Sequence, residues 1–183
     1  TASNNTSNNR VGLIATKGTV ESRAYEIAIK NINPRINLFS YAAPKLVELI
    51  EAGVLEGTKL QEVISGYVDP LIKENIDVLI LGCTHFPLIE KQIISKYSGD
   101  FKVISSAVET AKDVKSTMEK FGLPNERAKG SCGINGAGST CIRKGPERTY
   151  YETGNASKFL EVGRMFLGGE INEVVRVKLD MGQ

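Results

Sequence analysis

Among its 183 residues the chain has no tryptophan, one histidine and three cysteines. Each scarcity excludes something. A single histidine with three cysteines does not supply the closely paired ligands of a structural zinc site, and an odd number of cysteines does not suggest a disulfide framework. Cys132 and Cys141, separated by the glycine-rich Gly133–Thr140 run, read as plain loop thiols. No metal and no cofactor are expected. Net charge is equally sparse: 23 basic and 21 acidic residues leave +2, too little to argue for nucleic acid. Charges of both signs alternate along helix-like stretches and read as solvated faces. No apolar run is long enough to cross a bilayer, and Thr1–Arg10 lacks the apolar centre of a signal peptide, so the expectation is a cytoplasmic chain with no membrane partner. At 41% hydrophobic and 24% charged, the composition suits one globular domain with a sizeable core or two small lobes.

The most informative stretch is Asp77–Leu88. Val78, Leu79, Ile80 and Leu81 are consecutive branched apolar residues between Asp77 and Gly82, the pattern of a strand buried on both faces in a parallel sheet. Pro87 suits the first turn of a helix, and Leu88, Ile89, Ile93 and Ile94 continue as a helical stripe. Cys83 is thereby placed in a strand-to-helix turn, followed by Thr84 and by the lone His85. Ligands of open α/β sheets bind outside the carboxyl ends of strands, where backbone N–H groups stabilise a thiolate or hold a carboxylate. Cys83 has two readings at this level, a base or nucleophile and an inert half-buried thiol.

The flanking pattern repeats strand and helix. Val11–Ala15 is a short strand, Thr16–Thr19 a turn, and Val20, Ala24, Ile27, Ala28 and Ile32 follow at helical spacing. Thr19 reads as a helix cap, and Thr16 with Thr19 reads equally as a pair of donors to a bound anion. Ile36–Tyr41 is a second strand, and Pro44 opens a helix that Gly53 ends. Glu51, near that helix end, is as a bare residue more often solvated than functional. Thr58 is expected to cap a long amphipathic helix that Pro70 kinks. Phe101–Ser105 is a further strand and Ala107–Phe121 a helix. Leu123–Pro146 loses periodicity and carries five glycines, reading as an irregular surface loop. Thr149–Glu152 extends, Ala156–Leu167 is a helix whose Phe159, Met165 and Phe166 stripe reads as core, and Val174–Leu179 is a strand or extended tail. The alternation predicts an α/β fold, a parallel sheet with helices on its faces.

The Leu81–Leu88 run resembles the second catalytic-cysteine motif of glutamate racemases, in the cofactor-independent aspartate/glutamate racemase superfamily. Arg10–Val20 is similar to the strand and threonine turn that open that family's second lobe. Ala43–Gly53 is similar to its cysteine-proline, apolar, glutamate-glycine segment, with Ala43 where a cysteine is usual. Tyr150–Gly154 and the Phe159–Leu167 helix are similar to its close. The resemblance implies a two-base interconversion of L- and D-glutamate between two thiols, supplying D-glutamate for peptidoglycan. It implies Cys83 as the base facing L-glutamate, Thr84 and His85 as binding or orienting groups, Thr16 and Thr19 lining the pocket, and Glu51 near the substrate ammonium or tuning His85.

The family's first lobe, with its Asp-Ser opening and Cys-Asn-Thr motif, has no counterpart here. The chain is therefore expected to be the C-terminal portion of a racemase, alone inactive or one-base only. Residues 1–9 would be a linker or cut end, residues 10–105 the second catalytic lobe, and residues 106–183 a return segment packing on the first lobe, with 123–146 its irregular loop. Glutamate is the expected partner, and a homodimer through the uncovered face is a further expectation. An aspartate racemase is the alternative within the class. Outside it stand a non-catalytic carboxylate-binding module and a thiol hydrolase or transferase. The last is disfavoured by the close Cys83–His85 spacing and by the lack of a carboxylate placed by sequence to orient His85.

Overall fold

A computed structural model describes residues 1–123 and 148–179. The irregular loop expected over 123–146 falls, but for Leu123, outside the described residues, as do Cys132 and Cys141. The chain divides into two compact units, Thr1–Asp113 and Val114–Gln183.

In the first unit the order is α1 (Ala2–Asn5), β1 (Arg10–Ala15), α2 (Lys17–Glu21), α3 (Ala24–Ile32), β2 (Asn37–Ala42), α4 (Pro44–Glu51) and α5 (Thr58–Lys73), then β3 (Val78–Gly82). A 3₁₀ turn (Phe86–Ile89), α6 (Glu90–Lys96), β4 (Lys102–Ser105) and α7 (Ser106–Lys120) follow, the unit boundary falling within α7. The four strands form one parallel sheet in the order β2-β1-β3-β4. The expected parallel sheet with helices on its faces is observed.

Alternation along the buried strands sorts side chains to two faces. Ile14, Leu79, Leu81 and Cys83 join Leu46 and Ile50 of α4, Ile64 and Leu71 of α5, Phe86 and Ile89 of the 3₁₀ turn and Ile93 of α6 in one core cluster. Val11, Leu13, Ala15, Val78, Ile80 and Ile104 join Ile29 and Ile36 on the other face. In α5 the buried Leu60, Ile64, Val68 and Leu71 recur every three or four residues, the spacing of one helical face.

Three local expectations need correction. The single helix expected from Val20 to Ile32 is two, because Arg23 adopts a left-handed φ of 53° between them. Ser22 Oγ accepts from Ala24 N at 3.3 Å to start the second helix, and the phase change brings Ile29 into the core while Ile27 and Ile32 are exposed. Thr58 is not the cap of α5; Gly57 is, at φ 93°, and the helix continues unbroken through Pro70. Thr16, rather than Thr19, caps α2, its hydroxyl accepting from Thr19 N at 3.3 Å.

The segment Thr1–Asn9, which lacks any sequence periodicity, is held by Asp77 at the start of the Cys83 strand. One carboxylate oxygen accepts from Thr6 Oγ1 at 2.6 Å, and the other from Ser7 N at 2.5 Å, Ser7 Oγ at 2.7 Å and Asn8 N at 3.0 Å. Burial pushes the carboxyl pKa up, but these hydrogen bonds outweigh it and hold the group at about 2, below its ordinary 3.8. A depressed carboxyl pKa contributes stability that is present above the unfolded value and lost as pH falls through the folded one. Asp77→Asn, which turns an amide N–H₂ toward donors, is therefore expected to lose about 2 kcal/mol at neutral pH. Urea unfolding checks this, and the gap between variant and wild type should close as pH falls from 3.8 toward about 2.

The second unit contains β5 (Tyr151–Glu152), α8 (Ala156–Leu167), a 3₁₀ turn (Gly168–Glu170) and β6 (Val175–Arg176), with β5 and β6 parallel. Asn155 caps α8, accepting from Lys158 N at 3.0 Å. The stripe read as core is not buried: no α8 side chain is, among the described residues, and Phe159, Phe166 and Leu167 are partly exposed. Among the described residues, the two-residue ribbon and one turn beside it cannot cover a twelve-residue helix. Ile171 is the buried residue there, lying over Gly163, where a Cβ would come within 2.8 Å of its Cδ1.

Candidate functional site

The sheet order determines where a ligand can enter. β1 leads to β2 on one side and β3 leads to β4 on the other, so the connections leaving these adjacent strands run in opposite directions and open a crevice at the carboxyl ends of β1 and β3. β1 ends at Ala15, paired with Gly82 at the end of β3. Thr16 and Cys83 are therefore the first residues beyond the sheet on adjacent strands.

Cys83 is 7% exposed and belongs to the core cluster under α4 and α6. Its Sγ lies 3.8 Å from His85 Nδ1. The other ring nitrogen, Nε2, lies 3.2 Å from Glu51 Oε1, at the end of α4. Thiol, imidazole and carboxylate thus form a line running from the core outward, His85 half-buried and Glu51 exposed. An Nε2–H donated to Glu51 leaves the Nδ1 lone pair facing the thiol in a neutral ring; a protonated ring donates from both nitrogens. The sequence-based objections to a Cys–His pairing are corrected here. Two residues of separation do bring the groups together, and tertiary structure supplies the carboxylate that local sequence could not.

Thr16 and Thr19 stand across the crevice at the head of α2, their hydroxyls 2.8 Å apart and both half-buried. One hydroxyl donates to the other, so the pair keeps one free O–H for a bound anion. Thr84 is exposed in the Cys83 turn. The structure thus brings Cys83, His85 and Glu51 into one chain of contacts, and places Thr16 and Thr19 on the neighbouring strand end.

Local chemistry holds the turn. Phe86 is fully buried immediately after His85, Phe86 N donates to Cys83 O at 3.2 Å, and Pro87 falls in the first turn of the 3₁₀ segment. Ser106 Oγ donates to Leu81 O at 2.8 Å and ties the end of β4 to β3. Ala43, which follows β2, donates its N–H to Ala15 O at 2.8 Å and is fully buried. Sequence reading had not singled out Gly82, Phe86 or Ser106 for the site; the buried aromatic directly after the histidine was the available signal for Phe86. No group of three or more metal-ligating side chains occurs among the described residues.

Residues 1–114 match the Asp/Glu/Hydantoin racemase family model. The chain belongs to that family. Its members with solved structures share the fold: the glutamate racemase of Francisella tularensis in complex with D-glutamate superposes with a TM-score of 0.76 at 33% identity, over 94% of this chain and 59% of that one. The Thermus thermophilus glutamate racemase in complex with beta-chloro-D-alanine gives 0.70 at 29% identity, over 93% and 57%. Glutamate racemase 2 of Caldanaerobacter subterraneus subsp. tengcongensis is 37% identical over 176 residues, covering 96% of this chain and 60% of the relative. The chain thus spans about three-fifths of the length of the racemases it matches.

Proposed function

We propose that this racemase-family chain carries the Cys83 half of a cofactor-independent glutamate racemase. The observation that supports the reading best is a buried thiol at the sheet's switch point, in line with His85 and Glu51 and one residue beyond the rung that β3 shares with the strand leading into the Thr16–Thr19 turn. The α-hydrogen of an amino acid is weakly acidic, so its removal needs a base in a water-poor pocket and donors for the charge that develops on the carboxylate. In this reading Cys83 thiolate takes the α-proton of L-glutamate, becoming a thiol, and leaves a carbanion delocalised into the α-carboxylate. A second acid on the opposite face returns a proton to carbon and gives D-glutamate; the reverse direction exchanges the two roles. Thr16 and Thr19 donate toward the carboxylate, Thr84 and His85 orient substrate and thiol, and Glu51 keeps the imidazole in place.

The domain reading follows the same proposal. Residues 10–105 form the catalytic lobe, and residues 106–183 return to a first lobe that carries the partner thiol. D-glutamate made in the cytoplasm would feed peptidoglycan. An aspartate racemase fits the same line of residues, because the thiol and the carboxylate donors act on the part of the molecule both amino acids share. The Cys83–His85–Glu51 line also suits a thiol hydrolase, but the matched relatives are racemases.

Proton NMR of L- and D-glutamate, each incubated with the protein in heavy water, tests the proposal. Loss of the α-proton signal from L-glutamate is expected, with L-aspartate slower. Inversion alongside exchange identifies a complete two-base site, and exchange without inversion a one-base half. Retention of the α-proton in both enantiomers overturns the activity for this chain.

A further inference from the structure

Gly82 ends β3 and Ala15 ends β1, and the two are paired in register. The next residue on each strand is a site residue, Cys83 on one and Thr16 on the other. The width of this last rung therefore sets the spacing at which thiol and hydroxyl enter the crevice. A Cβ on Gly82 would lie 2.8 Å from Leu13 Cδ1, 3.1 Å from Ala15 Cβ and 3.4 Å from the Ile14 carbonyl oxygen. Leu13 Cδ1 is the far end of a flexible side chain and can turn aside, so Ala15 Cβ is the contact that decides. Ala15 Cβ has no rotamer through which to move, so the few tenths of an ångström required there fall on the strand backbone.

Leu13 and Ala15 belong to the core on the sheet face opposite Cys83. The three atoms nearest a Cβ at position 82 thus all belong to β1, and its effect would reach Cys83 through the backbone. We infer that Gly82 is a positioning residue, whose missing side chain holds the Cys83 turn at working distance from the Thr16 turn. The inference rests on the proposed role of Cys83 as base, and an independent measure of thiol chemistry separates the two.

The test compares wild type, Gly82→Ala, Ala15→Gly and the double variant. Two readouts are followed: α-proton exchange of L-glutamate, and the rate of iodoacetamide alkylation at the Cys83 peptide by mass spectrometry, from about pH 6 to about pH 10 to cover the thiol range. Gly82→Ala is expected to slow exchange about 10-fold, since sub-ångström misplacement is costly to proton transfer, and to move the midpoint of the alkylation profile. Removing the opposing methyl in the double variant should return both readouts to within about 3-fold of wild type. A merely structural glycine would not be rescued in this way. Wild-type exchange and alkylation in Gly82→Ala overturn the inference, as does a double variant that stays impaired or unfolded. If Gly82→Ala fails to fold and the double variant folds, the contact is confirmed. If wild type itself exchanges no glutamate, the proposed function fails and the alkylation profile alone decides the role of Gly82.

Discussion

Cys83→Ser is expected to slow α-proton exchange from L-glutamate about 10³-fold, within the range that a positioned acid–base group contributes. Serine keeps the shape of the side chain and its place beside His85 Nδ1, 3.8 Å away in the wild type. It removes the ionisable thiol, and an alcohol is scarcely deprotonated at neutral pH. Because Cys83 is 7% exposed within an apolar cluster, the hydroxyl costs about 1–3 kcal/mol of stability as well. Circular dichroism melts therefore accompany the NMR assay, so that a fold defect is not mistaken for a chemical one. A folded Cys83→Ser protein exchanging at the wild-type rate would remove Cys83 from the mechanism.

Phe86→Ala is expected to lose about 3–5 kcal/mol, the cost of truncating a large buried aromatic. Phe86 is fully buried, and the 3₁₀ turn it opens packs against α4 as well as α6. That aromatic ring follows His85 directly in the chain and anchors the turn in the core, while Glu51 is the last residue of α4. Its loss should loosen the His85–Glu51 contact together with the core. Urea unfolding followed by circular dichroism measures the first effect. A loss under about 1 kcal/mol would mean that the surrounding side chains collapse into the space and that the turn is anchored elsewhere.

Much of the first unit was legible in the sequence because its central strands, β1 and β3, are buried on both faces. Val11–Ala15 and Val78–Leu81 are continuous apolar runs ended by turn residues, and the observed strands differ from them by one residue at an end. Periodicity failed where a single backbone angle intervened. Nothing in the pattern Val20, Ala24, Ala28 announces that Arg23 turns left-handed, and that one residue splits the helix and moves its buried face. The stripe of α8 misled differently. An apolar face reports what a helix can bury, and not whether the chain around it supplies a cover.

By itself the sequence determined the alternation of strand and helix, the parallel sheet, and the position of Cys83 in a strand-to-helix turn, since each follows from local periodicity and turn chemistry. The resemblance of short motifs pointed to the racemase family without reference to any distance. Tertiary structure alone decided that Glu51 meets His85 at 3.2 Å, that Asp77 collects four donors from Thr6, Ser7 and Asn8, and that a Cβ on Gly82 would meet Ala15 Cβ at 3.1 Å. These contacts join residues 34, 69 to 71 and 67 positions apart in the chain. Periodicity reports which face of an element is apolar; which partner lies across from a polar group depends on the strand order and register that bring distant segments side by side.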